Sequence, residues 1–293
     1  MTIWKEYYRA TSITDALQAL AAAKGPARVI AGGTDILLDL QQERLAPVDR
    51  LVDINSIPEM QKIELQDGKL TIGAAVPLSQ VVAHPLVQAH AQALVEAGSL
   101  IGGPQVRNQA TLGGNVAHAL PAADGSIALL AQGAQAEIAS LEGRRLVPIQ
   151  TVYAGPGHSA LRTGIDLLVA FHLPLRGVGE GTAFRRVMRP QGVALPVLNL
   201  AAWLRLVAEV LVHLRISFGP AGPVPFRAAT PVTVLRGKQV NQALLEQAMD
   251  CLQTEAGFRT SPHRATKDYR THLAAVLLAE VFTAAWERAA EDR

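Results

Sequence analysis

The sequence predicts a mixed α/β protein of two domains, and three observations carry that expectation. Short β-branched and apolar runs alternate with stretches of helical periodicity through the first 175 residues or so. A glycine-rich connector, residues 176–181, then interrupts the pattern, and the apolar runs beyond it are strand-like before the chain closes on helices. Finally, 293 residues exceed what one hydrophobic core usually organises. The expected division is 1–176, itself split near residue 55 into parts of about 1–55 and 56–176, followed by 177–293.

Ser12 and Asp15, placed ahead of Ala16, Leu17, Leu20 and Ala21, predict a capped amphipathic helix ending near Gly25. Residues 27–31 read as a strand, Gly32-Gly33 as a turn, and residues 36–40 as a short helix that Asp35 would cap. Strands follow at 51–54 and 70–75. Helical patterning over 78–97 is interrupted at Pro85, with Gly98 as its expected stop. A second glycine-rich stretch, 102–114, leads as a loop to a short helix at 126–132 and a hairpin turning at Glu142-Gly143. The run 161–173 ends at Pro174. Beyond the connector, 193–203 and 207–218 read as strands, although 207–211 lacks the usual turn residues between them. A Gly/Pro loop at 219–225 and helices at 242–255 and 272–289 complete the chain.

Composition excludes several functions. Hydrophobic residues make up 49% and charged residues 18%, so a packed protein is expected and disorder is not. Net charge is +2 and the basic residues are scattered, which removes the electrostatic footprint of a nucleic-acid binder. The single cysteine, Cys251, allows neither an internal disulfide nor a thiolate metal site, so any iron–sulfur cluster would sit on another chain. Residues 1–10 are charged and polar, which predicts a cytoplasmic protein. The apolar stretch 193–216 is broken by Arg205, Glu209, His213 and Arg215, so no membrane span is expected.

No catalytic residue and no metal site is assigned. The eight histidines are dispersed, no serine lies in a Gly-x-Ser-x-Gly elbow, and Asp35 with Asp39 supplies too few ligands for a metal. His118 is read as packing. Gly177-Val178-Gly179-Glu180-Gly181 has no strand before it and no capped helix after it, so it is read as a connector and not as a dinucleotide loop.

Two double-glycine segments carry the chemistry: Val29-Ile30-Ala31-Gly32-Gly33-Thr34-Asp35-Ile36 and Thr111-Leu112-Gly113-Gly114-Asn115. Glycine lets a backbone approach an anion closely and present consecutive amides to it, and Thr or Asn side chains add donors, so two such segments suit a diphosphate. The longer run Gln105-Val106-Arg107-Asn108-Gln109-Ala110-Thr111-Leu112-Gly113-Gly114-Asn115-Val116-Ala117-His118-Ala119-Leu120-Pro121-Ala122-Ala123-Asp124 resembles the signature of the FAD-binding subunits of xanthine dehydrogenase, carbon monoxide dehydrogenase and related molybdenum hydroxylases. The first segment resembles the same family's first FAD loop, and the likeness continues through 161–174, 184–201, 219–227 and 261–270.

The resemblance implies a two-subdomain FAD-binding domain of the vanillyl-alcohol oxidase type, followed by a smaller α+β C-terminal domain. It implies that both glycine segments hold the FAD diphosphate and that Asp124 contacts the cofactor. Ile101 and Leu168 would lie near the flavin, and Arg185, with Arg186 as the alternative, would place a positive charge near the ring. Leu120 stands where the family pattern has a small polar residue. The implied function is electron transfer from iron–sulfur clusters of a small partner subunit to NAD, a quinone or oxygen. A molybdenum-cofactor large subunit would oxidise the substrate, within a dimer of heterotrimers. The alternatives are a stand-alone FAD oxidoreductase of the same fold and a flavin-free scaffold subunit.

Overall fold

A computed structural model describes residues 3–189, 194–262 and 264–291. The start of the apolar run at Val193 lies outside them. Mixed α/β architecture is observed. β1 (Trp4–Arg9), α1 (Ile13–Ala21), β2 (Ala27–Ile30), α2 (Ile36–Gln41) and β3 (Val48–Asp53) build a parallel sheet in the order β1-β3-β2. Ser12 caps α1 by accepting from the Asp15 amide, as its position predicts. The sequence reading missed β1, because its alternation is masked by polar residues on both faces of an edge strand.

β4 (Ile63–Gln66) and β5 (Lys69–Gly73) open a second, antiparallel sheet. Three helices follow, α3 (Leu78–Ala83), α4 (Pro85–His90) and α5 (Gln92–Leu100). Pro85 starts α4 in place of merely interrupting a longer helix. Gly98 is not a stop: it lies inside α5, where a Cβ would meet the Val82 side chain at 2.8 Å, so its smallness serves helix packing. Next come α6 (Pro104–Arg107), α7 (Leu112–Ala117) and α8 (Asp124–Gln132). The second glycine segment is therefore the first turn of a helix and not a loop. Thr111 caps it and Gly113 packs too tightly for a side chain, so helix geometry prevails over the low propensity of two glycines.

β6 (Gln135–Ser140) and β7 (Gly143–Pro148) form the hairpin, with Leu141-Glu142 at its tip, one residue before the expected Glu142-Gly143. A small ribbon, β8 (Tyr153–Gly155) with β9 (His158–Ser159), leads to β10 (Leu167–Pro174). The five-stranded order is β4-β5-β10-β6-β7. Beyond the connector, β11 (Glu180–Met188), β12 (Pro196–Val207), β13 (Val210–Gly219) and β14 (Phe226–Ala228) form an antiparallel sheet in sequence order. The long β12–β13 hairpin turns at Ala208-Glu209, both at positive φ (46° and 67°), a conformation usually given to Asn or Gly. α9 (Thr230–Leu235), α10 (Gln242–Glu255) and α11 (Lys267–Ala290) finish the chain, α11 beginning five residues before the expected 272 because Thr266 caps it.

One buried core spans α1, the five-stranded sheet and α8 and reaches Phe184 and Ala201; a second joins β12 and β13 to α10 and α11. α8 is the joint between them, with every residue buried. Its last carbonyls, of Ala131 and Gln132, accept from Arg215 on β13, whose guanidinium also stacks 3.7 Å from the Trp203 ring centre. Burial pulls Arg215 down to about 10, so it stays cationic at neutral pH and caps the negative end of the helix. The opposite end of α8 carries Asp124.

Candidate functional site

A cleft of about 830 Å³ opens where the parallel sheet, α7, α8 and the C-terminal sheet meet. Of the residues singled out by sequence, Val29, Ala31, Gly32, Gly33, Thr34, Asp35, Ile36, Ile101, Thr111, Gly113, Gly114, Asn115, Asp124 and Leu168 line it. Ile30, Leu112 and Arg185 do not. Ile30 faces a small core with Leu40, Val48 and Leu51, because it ends a strand that is buried on that side. Leu112 is fully buried in the main core.

The first segment leaves β2 and turns at Gly33, whose φ of +72° is the left-handed region that glycine tolerates. The amides of Gly32, Gly33, Thr34, Asp35 and Ile36 have no acceptor among the described residues. Asp35 occupies the N-cap position of α2 yet makes no capping hydrogen bond, contrary to expectation: its backbone is already helical (φ −103°, ψ −52°), which turns the carboxylate away from the first-turn amides. A Cβ on Gly32 would lie 1.9 Å from the Gln109 carbonyl oxygen, so the first segment is pressed directly against the approach to α7.

The second segment behaves differently. Its amides are committed: Leu112 donates to Val76 O (3.2 Å), Gly113 to Ala74 O (2.9 Å), Gly114 to Thr111 Oγ1 (3.0 Å) and Asn115 to Thr111 O (3.1 Å). Gly113 is needed for the close approach to Ala74, whose oxygen a Cβ would meet at 2.5 Å. What this segment offers the cleft is the bare Gly114 surface and Asn115, whose buried Oδ1 has no partner among the described residues.

Asp124 and Arg186 form a buried ion pair in the wall, with side chains only 4% and 5% exposed. Asn199 Nδ2 donates to Asp124 Oδ1 at 2.6 Å and to Ala122 O at 3.0 Å. Burial pushes the Asp124 carboxyl upward, opposed by Arg186 and by the Asn199 hydrogen bond. The two arginines of β11 divide by strand alternation. Arg186 turns into the cleft, whereas Arg185 turns out to Glu96 (3.1 Å), so the alternative position is the one in the cleft.

Sequence reasoning missed Asn199, Arg162 and Asp166, and it read His118 as packing, although His118 lines the cleft. Asn199 did carry a signal, as the one polar residue in the apolar stretch Val197 to Trp203. Asp166 had none, because its burial and its pairing with Arg145 on β7 are set by the fold, although Arg162 lies only four residues away. Desolvation raises its carboxyl, but hydrogen bonds from Arg162 (3.0 Å) and Arg145 (2.8 Å) and from the Arg162 amide outweigh that and hold it at about 2. Among the described residues no group of His, Cys, Asp and Glu could hold a metal ion, and no helix is long and apolar enough to cross a membrane.

Residues 3–176 match the family described as the FAD binding domain in molybdopterin dehydrogenase. The chain belongs to the FAD-binding subunits of the xanthine dehydrogenase and carbon monoxide dehydrogenase family. Residues 182–285 match the CO dehydrogenase flavoprotein C-terminal domain. The chain is similar to the putative xanthine dehydrogenase FAD-binding subunit of Escherichia coli (strain K12), with 34% identity over 284 residues and 95% of each chain covered. It is also similar to the carbon monoxide dehydrogenase medium chain of Hydrogenophaga pseudoflava, with 29% identity over 290 residues, covering 97% of this chain and 98% of the relative. The fold superimposes on the solved carbon monoxide dehydrogenase from Hydrogenophaga pseudoflava that lacks the Mo-pyranopterin moiety of the molybdenum cofactor, with a TM-score of 0.90, 28% identity and 97% of each chain covered. As a member of this family the protein is an oxidoreductase subunit with FAD as its cofactor.

Proposed function

We propose that the cleft holds FAD and that the chain is the electron-transfer subunit of a molybdenum hydroxylase complex. It takes electrons from iron–sulfur clusters of a small partner subunit, fed by a molybdenum-cofactor large subunit, and passes them to NAD, a quinone or oxygen. The observation that carries this reading is the run of acceptor-free amides from Gly32 to Ile36, opening on the same cleft as Gly114 and Asn115.

The residues fit such a cofactor. Consecutive amides and a glycine without room for a side chain suit an anionic diphosphate. The cleft volume falls in the range of about 300–1,000 Å³ that small-molecule and cofactor sites occupy. Ile101 and Leu168 give apolar surface for a ring system. Bound FAD supplies reversible electron exchange, and the protein contributes binding, orientation and local charge. The first segment would hold the diphosphate with its amides, and Gly114 would let it approach α7. No side chain is assigned an acid or base role. The likeness to relatives named as medium chains supports a place among several subunits, and we read the assembly as a cytoplasmic dimer of heterotrimers.

The test is purification of the chain from cells that carry its partners, followed by anaerobic addition of purines, carbon monoxide, aldehydes or N-heteroaromatics. Bleaching of flavin absorbance that requires copurified iron–sulfur and molybdenum chains supports the relay. Bleaching by the isolated chain supports a stand-alone oxidoreductase instead.

A further inference from the structure

The carbonyl that precedes the run of free amides has a donor of its own. β2 and β3 pair in parallel as far as Ile30 and Asp53, and the ladder closes with the Ile54 amide on Ile30 O at 3.1 Å. One residue further the donor is a side chain: Asn55 Nδ2 reaches Ala31 O at 2.9 Å and also donates to Asp53 Oδ1 at 2.7 Å. The Asn55 amide donates to the same Asp53 oxygen at 2.8 Å, an Asx turn that fixes the two residues against each other. Asp53 is buried, and its second oxygen accepts from Tyr7 Oη on β1 at 2.9 Å, with the exposed Arg9 3.9 Å away. All three strands of the parallel sheet thus converge on one carboxamide, and both of its hydrogens are used.

A trans peptide is planar, so the Gly32 N–H points opposite to the Ala31 carbonyl. Ala31 and Gly32 line the cleft and Asn55 stands outside the lining, so a carbonyl held on Asn55 leaves the Gly32 amide directed to the cleft side. Glycine at 32 accepts φ of either sign, so the peptide's own sterics do little against inversion, and an inverted peptide would present a carbonyl oxygen to an anion. We infer that Asn55 is a positioning residue for the diphosphate: it holds the Ala31–Gly32 peptide in the orientation that turns the Gly32 amide to the cleft, and Asp53 and Tyr7 hold Asn55. This rests on the reading that the cleft takes FAD through the Gly32 segment. Asn55 acts through that peptide and needs no contact with the cofactor. Its effect is confined to the phosphates, because the apolar surface of Ile101 and Leu168 belongs to other elements.

The experiment uses the full chain freed of flavin and measures the affinities of FAD, ADP and riboflavin for the native protein, Asn55→Leu and Asn55→Asp. ADP carries the diphosphate without the flavin, and riboflavin the flavin without the diphosphate. Asn55→Leu keeps the size and removes the donor, and it is expected to weaken FAD and ADP about tenfold, the equivalent of one hydrogen bond, while riboflavin binds as before. Asn55→Asp sets an oxygen against Ala31 O and is expected to lose more of FAD and ADP than Asn55→Leu, again without change for riboflavin. If leucine at 55 prevents folding, Asn55→Ser, too short to reach Ala31, carries the same expected pattern. Equal losses for FAD and riboflavin, or no loss for FAD and ADP in a folded variant, overturn the positioning role. Native protein that binds neither FAD nor ADP overturns the cofactor reading instead.

Discussion

Gly32 and the carbonyl of Gln109 are in direct backbone contact: a Cβ at position 32 would lie 1.9 Å from that oxygen. This contact locks the first glycine segment to the approach to α7, and both line the cleft. Gly32→Ala forces the two apart. Overpacking of this kind costs about 1–3 kcal/mol, so the variant is expected to melt several degrees lower and to lose most of its FAD. Gly222→Ala, where a Cβ meets nothing within 4 Å, serves as the control and should change neither quantity. Thermal melts and flavin absorbance measure both.

Asp166 makes stability depend on acid. Its carboxyl, at about 2 in the folded protein, lies below the ordinary value near 4 of an unfolded chain. The folded state therefore binds the proton less readily, and the resulting stability is fully present above pH ~4 and lost as pH falls toward ~2. Its partners Arg145 and Arg162 are 41% and 46% exposed, so solvent screening reduces the contribution to about 1–2 kcal/mol. Asp166→Asn should remove that part of the acid dependence in urea melts between pH 5 and 2. An unaltered pH profile contradicts this role.

The β12–β13 turn stores local strain at Ala208, whose φ of 46° carries a Cβ cost that asparagine tolerates better. Ala208→Asn is expected to raise stability by about 0.5–1 kcal/mol with no change in FAD content. A fall in melting temperature would show that the turn is not strained in solution.

Glu96 on α5 ties the two cores together: it accepts from the Phe184 amide at 2.7 Å and from Arg185 and Arg288. Glu96→Gln leaves those partly buried donors poorly matched and is expected to cost about 1 kcal/mol. The loss should appear as faster proteolysis at the connector 176–181, and equal cleavage rates in variant and native protein contradict the tie.

Much of this was legible in the sequence where local physics decides. The Ser12 cap, the strand before Gly32, the short helix before Gly133 and the long C-terminal helices follow periodicity and capping that act within a few residues. The glycine segments were legible through their resemblance to a known family. Position within the fold was not. Gly98 reads as a stop until α3 is seen packed on it, and Thr111 to Asn115 reads as a loop until its amides are found committed to Ala74 and Val76. Arg185 and Arg186 are equivalent to a sequence reader, because only the pairing of β11 with β12 sets which of the two faces the cleft. Asn199 gains its role from partners far along the chain, and Asp166 from burial and from Arg145 on β7 as well as the nearby Arg162.

The central claim is that this cleft holds FAD, and the visible absorption spectrum of the purified chain, before and after denaturation, tests it most directly. The chromophore released is identified by chromatography and counted against protein. Close to one FAD per chain is the expected result; a chain that carries no flavin and takes up none when FAD is added contradicts the account and leaves a scaffold subunit as the better description.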